Sequence, residues 1–129
     1  SYTRIPIYND AALGGGYYIF NNHSNQLPTI FNFTHDTSTS NINTASSVSS
    51  YLDPDFWVTP DGNTWTSSLE EQFILVFGDG NDTYTWLWDD TSKGGAPDAD
   101  ELYPIAILTG FDNDTMDGSE FQYQNISGV

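Results

Sequence analysis

Residues 72–88 read QFILVFGDGNDTYTWLW, two apolar runs separated by a turn that contains Gly and Asn. Both residue types tolerate the positive φ angles of tight hairpins, so the pattern predicts a turn between two antiparallel strands. The first run, residues 73–77, is continuously apolar, which is typical of a central strand covered on both faces. In the second run Tyr84, Trp86 and Trp88 alternate with other side chains. One face of that strand is therefore predicted to be an aromatic ladder in the core.

Short runs of β-branched and aromatic residues, broken by Gly, Asp, Asn and Pro, continue along the chain. With the hairpin they predict strands at residues 3–8, 16–20, 29–34, 56–59, 72–77, 83–88, 105–109 and 120–124. The Ser/Thr/Asn-rich stretch 36–50 predicts a long loop, or a loop that leads into one short helix at residues 44–52. We therefore expect an all-β fold, an antiparallel β-sandwich-like domain with long loops and at most one short helix, with residues 1–129 forming a single domain.

The composition is strongly acidic. The 129 residues include 18 Asp and Glu against 2 Lys and Arg, so the formal net charge is −16. Such a surface repels nucleic acid and anionic membranes and favours cations. Adaptation to a salty medium is the alternative explanation for the charge. No apolar run approaches the roughly 20 residues that span a bilayer, so we expect neither nucleic-acid binding nor membrane insertion.

An acidic loop, DTSKGGAPDADE, runs from Asp90 to Glu101 between two runs that we expect to be buried strands. Its register resembles the EF-hand calcium loop, which has oxygen ligands at alternating early positions, Gly at the sixth and Glu at the twelfth. The loop therefore predicts a Ca²⁺ site. The candidate ligands are four side-chain oxygens and two carbonyl oxygens, from Asp90, Ser92, Asp98 and Glu101 and from Gly94 and Ala96 respectively.

Three features weaken the calcium interpretation. Gly94 has no side-chain oxygen at the fifth position, Lys93 places a positive charge beside the site, and Pro97 lacks an N–H. The alternative is a solvated acidic hairpin loop in which Asp and Gly serve turn geometry. The sequence leaves both interpretations open.

Two weaker patterns mark further candidate sites. The stretch DNDTMDGSE offers Asp112, Asp114 and Asp117 as a second cation site, although its spacing favours an Asx-rich turn. Sequons of the form Asn-X-Ser/Thr would mark exposed positions if the host glycosylates asparagine. They occur at Asn22, Asn32, Asn81, Asn113 and Asn125.

Exposed aromatic residues with neighbouring Asp and Asn are what a carbohydrate-binding module needs. Trp57 and Trp65 are the candidates for sugar stacking, with a core position as the alternative, whereas the alternation of Trp86 and Trp88 favours the core. Catalysis has little support, since neither histidine has zinc-type spacing and no nucleophile or P-loop motif occurs. Hydrolysis of the glycosidase kind would need two carboxylates across a cleft, and no feature of the sequence identifies such a pair.

A family resemblance is carried by DTY at residues 82–84, WDD at 88–90, DADEL at 98–102, ILTGFDNDT at 107–115 and SEF at 119–121. Over about residues 79–125 the chain resembles a segment near the ends of cyanobacterial and other bacterial proteins of the RTX, or haemolysin-type calcium-binding, class. The resemblance implies export by type I secretion, calcium dependence and a role as an adhesin, surface-layer or matrix component. The glycine-rich nonapeptide that names the class is absent. The resemblance therefore implies a neighbouring domain rather than the calcium β-roll itself.

Together these features predict a non-enzymatic, calcium-stabilised structural or adhesive module, or a self-assembling subunit of a surface layer, filament or matrix. We expect it to be secreted and to act outside the cell or on its surface. Its expected partners are further copies or other surface and matrix proteins, with glycans as the alternative. The segment from Tyr2 to Tyr8, which contains Pro6, is predicted to pair with a neighbour's sheet edge. The runner-up function is a carbohydrate-binding module and the third is a hydrolase.

Overall fold

The computed structural model describes residues 2–4, 7–8, 30–52, 71–92, 97–116 and 122–124. Within them lie strands β1 (Tyr2–Arg4), β2 (Ile7–Tyr8), β3 (Ile30–Phe33), β4 (Glu71–Gly78), β5 (Thr83–Asp90), β6 (Leu102–Leu108) and β7 (Gln122–Gln124), and helix α1 (Ala45–Tyr51). Short 3-10 helices occupy Thr39–Asn41, Ala99–Glu101 and Asn113–Thr115. The strands predicted at 16–20 and 56–59 lie outside the described residues. No helix in the described ranges is long and apolar enough to cross a membrane.

The main sheet has the strand order β2-β3-β4-β5-β6, and β1 pairs with β7 in a separate two-stranded sheet. β3 is parallel to both β2 and β4, whereas the β4–β5 and β5–β6 pairs are antiparallel. The predicted purely antiparallel arrangement is therefore wrong, and a sandwich is not confirmed. The cause is the long connection between β3 and β4, which carries α1 and brings the chain back to pair in parallel. The prevalence of strands over helix agrees with the prediction.

The hairpin predicted between β4 and β5 is confirmed, with Gly78 paired to Thr83 next to the turn. Oδ1 of Asp79 accepts hydrogen bonds from the backbone N–H groups of Asn81 and Asp82 at 2.9 and 2.8 Å. Gly80 has a φ of 94°, a conformation that glycine adopts without steric cost. The Asp82 and Asn81 hydrogen bonds also hold the pKa of the Asp79 carboxyl below its ordinary value.

The larger core lies between α1 and one face of the main sheet. Its buried residues are Phe31, Phe33, Ile42, Val48, Leu52, Phe73, Leu75, Phe77, Tyr84, Trp86, Trp88 and Leu102. The aromatic ladder of β5 is thus confirmed as core, and Trp86 Nε1 donates to the carbonyl of Ile42 at 3.0 Å. The predicted helix is also confirmed. Oγ1 of Thr44 accepts from the N–H of Ser47 at 3.1 Å, which caps the first turn of α1.

The opposite face of the sheet carries a smaller core of Ile30, Val76 and Met116, with Ile74 and Phe111 packed against it. Strand β4 therefore has buried side chains on both faces, as the continuous apolar run predicted. Because β4 pairs with β3 on one side and β5 on the other, it is the central strand of the sheet.

Strand β6 is exposed, although we expected the run after the acidic loop to be buried. It is the last strand of the main sheet in the described part of the chain. Three large apolar side chains of β6 are half exposed, Tyr103 at 51%, Ile105 at 51% and Ile107 at 59%. The β5–β6 register shifts between Thr85 and Trp86, and this irregularity bends the strand locally.

Candidate functional site

The carboxylate of Glu101 organises the acidic loop. Its Oε1 accepts from the N–H of Asp98 at 2.9 Å and from Nε1 of Trp88 at 3.4 Å. Its Oε2 accepts from the N–H of Ser92 at 2.9 Å and from Oγ1 of Thr91 at 3.2 Å. The side chain is 2% exposed. Both ends of the loop are therefore hydrogen-bonded to one buried carboxylate, and Glu101 holds the loop in its observed conformation.

Local structure explains how the loop residues meet. Asp90 ends β5 and is buried, and its Oδ1 accepts from Oγ of Ser92 at 3.2 Å. Asp98 precedes the 3-10 helix Ala99–Glu101 as its N-cap, and the N-cap N–H bonded to the carboxylate three residues later is half of a capping box. Four of the six predicted calcium ligands thus lie in one neighbourhood. The other two, Gly94 and Ala96, lie outside the described residues.

The carboxylates of this loop have pKa values shifted in opposite directions. Burial raises the pKa of the Glu101 carboxyl, but hydrogen bonds from Asp98 and Ser92 and from the indole of Trp88 outweigh it, so the net shift is downward. Desolvation, followed by the negative charges of Glu101 and Asp100, raises the pKa of the Asp98 carboxyl. The charged form of Glu101 is therefore favoured, whereas the charged form of Asp98 is disfavoured.

This arrangement bears directly on calcium binding. Each oxygen of Glu101 faces two N–H or O–H donors, so bidentate coordination would require displacement of donors that now satisfy it. Asp98 is exposed, which leaves its carboxylate more accessible to a cation. In the described part of the chain, no group of three or more His, Asp or Glu side chains is placed to hold a metal ion.

The second acidic stretch forms a turn in its described part. Oδ1 of Asp112 accepts from the N–H of Asp114 at 2.9 Å at the start of the 3-10 helix Asn113–Thr115. Desolvation and the charges of Asp112 and Asp36 raise the pKa of the Asp114 carboxyl. The backbone bond is the Asx-turn contact that the spacing favoured. Asp117, the third candidate ligand, lies outside the described residues.

Two of the sequon asparagines are buried, so they are not the exposed positions that sequons would mark if the host glycosylates asparagine. Asn32 and Asn113 are 0% and 1% exposed. Nδ2 of Asn113 donates to Oδ1 of Asn32 and to the carbonyl of Phe33, each at 2.9 Å. A glycan on either amide would destroy this packing. Asn81 is exposed at the hairpin turn, while Asn22 and Asn125 lie outside the described residues.

The remaining predicted sites are the sugar-stacking residues and the N-terminal segment. The sugar-stacking candidates Trp57 and Trp65 lie outside the described residues. Within the chain, the segment predicted to pair with a neighbour pairs on one side, β1 with β7 in antiparallel and β2 with β3 in parallel; its pairing with a neighbour stays a prediction. In the described part of the chain, β2 and β6 are the two edge strands of the main sheet.

The edge at β6 is a candidate site that our sequence reasoning missed. A groove of about 240 Å³ lies over the β5–β6 irregularity, bordered by Tyr84, Trp86, Pro104, Ile105 and Ile107. Tyr84 and Trp86 are largely buried and also belong to the larger core. The signal available in the sequence was the stretch LYPIAILT at residues 102–109, which has no charged residue in a chain of net charge −16.

Comparison with known proteins gives no match: no family model fits this chain, and no curated protein or solved structure is significantly similar to it. The resemblance to the RTX class over residues 79–125 therefore stays a prediction. The features of the molecule that bear on function are the geometry of the acidic loop and the β6 edge.

Proposed function

We propose that this chain is a non-enzymatic structural or adhesive module that acts outside the cell and assembles through the β6 edge. The observation that carries the proposal is the uncharged strand β6, whose Tyr103, Ile105 and Ile107 are all more than half exposed. Monomeric proteins commonly protect an edge strand with charged residues, proline, a β-bulge, short length or a covering element. Strand β6 contains Pro104 and the irregularity opposite Thr85 and Trp86, but it has no charged residue, and its seven residues are long enough to pair with another chain.

Burial of apolar side chains at β6 drives association, and it must outweigh the translational and rotational freedom that the chains lose. Covering the exposed half of each of the three side chains contributes roughly 1 kcal/mol, because full burial of such a side chain is worth about 1.5–3 kcal/mol. Backbone hydrogen bonds along the edge add affinity. The opposing term is repulsion between chains of net charge −16, which salt weakens as the Debye length falls from about 10 Å at 0.1 M to about 3 Å at 1 M.

The test of assembly is the molar mass of the protein against concentration, by sedimentation and light scattering, at 0.1 and 1 M NaCl. We expect the wild type to associate, more strongly at high salt, and Ile107→Lys to associate at least about tenfold more weakly. Thr109→Lys is the matched control, because it adds the same charge at an exposed position just beyond β6. A wild type that stays monomeric at every concentration and salt would contradict the proposal.

We also propose that Ca²⁺ stabilises the module at the acidic loop, with Asp98 as its accessible carboxylate. A ligand at a hundredfold excess over its Kd stabilises by about 2.7 kcal/mol, which should raise the Tm by more than roughly 5 °C. The measurement is a thermal melt in EDTA, Ca²⁺ and Mg²⁺ at matched ionic strength.

Asp98→Asn distinguishes a calcium site from a merely acidic turn. In EDTA it should raise the Tm slightly, because it removes a charge that is partly desolvated and that Glu101 and Asp100 repel. In calcium it should lose the increase that the wild type shows. If calcium and magnesium have equal effects on the wild type, the loop is an acidic turn.

A further inference from the structure

We propose that an open groove beside α1 binds a neutral polysaccharide. The groove has a volume of about 680 Å³, within the range of about 300–1,000 Å³ that small-molecule sites occupy. It shares no residue with the groove at β6, so the site does not depend on the assembly proposed above. Its lining consists of four hydroxyl side chains, one amide and one phenol, which belong to Thr44, Ser46, Ser47, Ser50, Asn41 and Tyr51.

Helix α1 places most of these side chains together. Ser46 and Ser50 are four residues apart, as are Ser47 and Tyr51, so each pair lies one above the other on one side of the helix. Val48 packs into the larger core, which directs Ser46 and Ser50 towards solvent, where both are exposed. In the described part of the chain their two hydroxyls have no hydrogen-bond partner. Each can therefore donate to a ligand and accept from it.

The other polar groups of the groove are held in place by hydrogen bonds within the protein. Oγ1 of Thr44 donates to Oγ of Ser47 at 2.9 Å, and Oγ of Ser47 donates to the carbonyl of Thr44 at 2.9 Å. Nδ2 of Asn41 donates to Oγ1 of Thr37 at 2.9 Å, which leaves the amide oxygen of Asn41 as an acceptor. Groups that are fixed in this way lose little conformational freedom when a ligand binds.

Tyr51 supplies an apolar surface beside these polar groups. Its ring packs edge-to-face on Phe77 with the ring centroids 6.1 Å apart, so the core fixes its orientation. The side chain is only partly buried and borders the groove. A sugar ring has C–H groups on its faces and hydroxyls around its edge. An aromatic ring among hydroxyls and an amide therefore matches both parts of a sugar.

The charge distribution favours a neutral ligand. Residues 37–52 contain no charged side chain, so none lines the groove. A polyanion is repelled by a chain of net charge −16, and a basic ligand is attracted to the acidic loops instead. A neutral polysaccharide needs no countercharge, and an open groove admits a long chain that extends beyond both of its ends.

Affinity electrophoresis in native gels tests the site. The neutral probes are dextran, starch, xyloglucan and galactomannan, the anionic probe is dextran sulfate, and the reference is a gel without polysaccharide. We expect at least one neutral probe to retard the wild type. The double variant Ser46→Ala, Ser50→Ala should bind that probe about tenfold more weakly. Because alanine has a higher helix propensity than serine, this variant keeps α1 and tests the hydroxyls alone.

The matched control is the double variant Ser38→Ala, Ser40→Ala. Both serines are exposed and neither lines the groove, so this variant should bind like the wild type. The site is overturned if no neutral probe retards the wild type, if only dextran sulfate does, or if the two double variants bind equally well.

Ile107→Lys separates this site from the assembly at β6, because it should lose association and keep the retardation. A monomeric wild type that binds a neutral probe would remove the proposed assembly and leave the polysaccharide site standing. An oligomeric wild type that no neutral probe retards would do the reverse.

Discussion

Replacing Gly78 by alanine should lower the free energy of unfolding by about 3 kcal/mol. Gly78 is the last residue of β4, and a Cβ added there would run into Oδ1 and Cγ of the Asn113 side chain. The added methyl group must therefore push that side chain out of its place. The measurement is urea denaturation of the purified variant beside the wild type.

The side chain of Asn113 cannot yield without breaking a buried network. Its Nδ2 donates to Asn32 and Phe33, while Nδ2 of Asn32 donates to the backbone carbonyl of Asn113 at 2.8 Å. These bonds join β3 to the 3-10 helix Asn113–Thr115. Displacing the amide leaves buried donors and acceptors unsatisfied, at about 1–3 kcal/mol for each group, so the clash and the lost bonds add to one large effect.

Gly110→Ala is the matched control for the Gly78 substitution. Gly110 has a φ of 72°, and its added Cβ would have no atom within 4 Å. The cost there is backbone conformation alone, about 1–2 kcal/mol. The double variant Gly78→Ala, Asn113→Ala should lose less than the sum of the single losses, because the second change removes the atoms that clash. Strict additivity, or equal losses at the two glycines, would show that the contact with Asn113 is not the cause.

The local parts of the fold are predictable from the sequence because the residues that decide them are neighbours. The hairpin follows from a continuous apolar run, a turn with Gly80 and an alternating aromatic run. For residues 44–52 the sequence left a long loop and a short helix as alternatives, and the structure has the helix, capped by Thr44. The parallel pairing of β3 with β4 depends on how a long connection crosses the sheet, which no short pattern specifies. The contact between Asn32 and Asn113 joins residues 81 positions apart. An Asn-X-Thr sequence is a sequon whether its asparagine amide is buried or exposed, and the sequence alone does not distinguish the two cases.

The candidate sites also combine features that neighbouring residues decide with features that distant contacts decide. The apolar sequence of residues 102–108 is the same as that expected for a covered strand. Whether such a strand is exposed depends on whether another strand or loop packs beside it. In the acidic loop, the EF-hand register identified Glu101. It could not show whether the Glu101 carboxylate binds a metal ion or accepts the capping hydrogen bond at the start of the 3-10 helix. The spacing of Asp98 and Glu101 is also that of a capping box. That signal could have indicated the hydrogen bonds that the Glu101 carboxylate accepts.

Glu101→Gln should destabilise the fold by about 3 kcal/mol in the absence of any metal ion. The carboxylate accepts from four donors, on Trp88, Thr91, Ser92 and Asp98, and hydrogen bonds to a charged group are worth about 1.5–3 kcal/mol each. A glutamine amide would turn its own N–H groups towards two of those donors. Urea denaturation in EDTA at pH 7 measures the loss, and an unchanged midpoint would refute the structural role of Glu101.

The pH dependence of that loss gives a second measure with a defined sign. Because the folded-state pKa of Glu101 lies below its ordinary value of 4.5, its stabilisation is complete above about pH 4.5 and is lost as the pH falls through the folded pKa. The difference between wild type and Glu101→Gln should therefore shrink as the pH is lowered from 5 towards 3. Asp98 has the opposite sign, since a raised pKa means that its charge opposes folding above its ordinary value of 3.8. Asp98→Asn should accordingly be more stable than the wild type at pH 7, and this advantage should vanish on acidification. On acidification, the stability relative to wild type should rise for Glu101→Gln and fall for Asp98→Asn. If it moved in the same direction for both variants, general charge repulsion rather than the hydrogen bonds to Glu101 would govern the acid response of the loop.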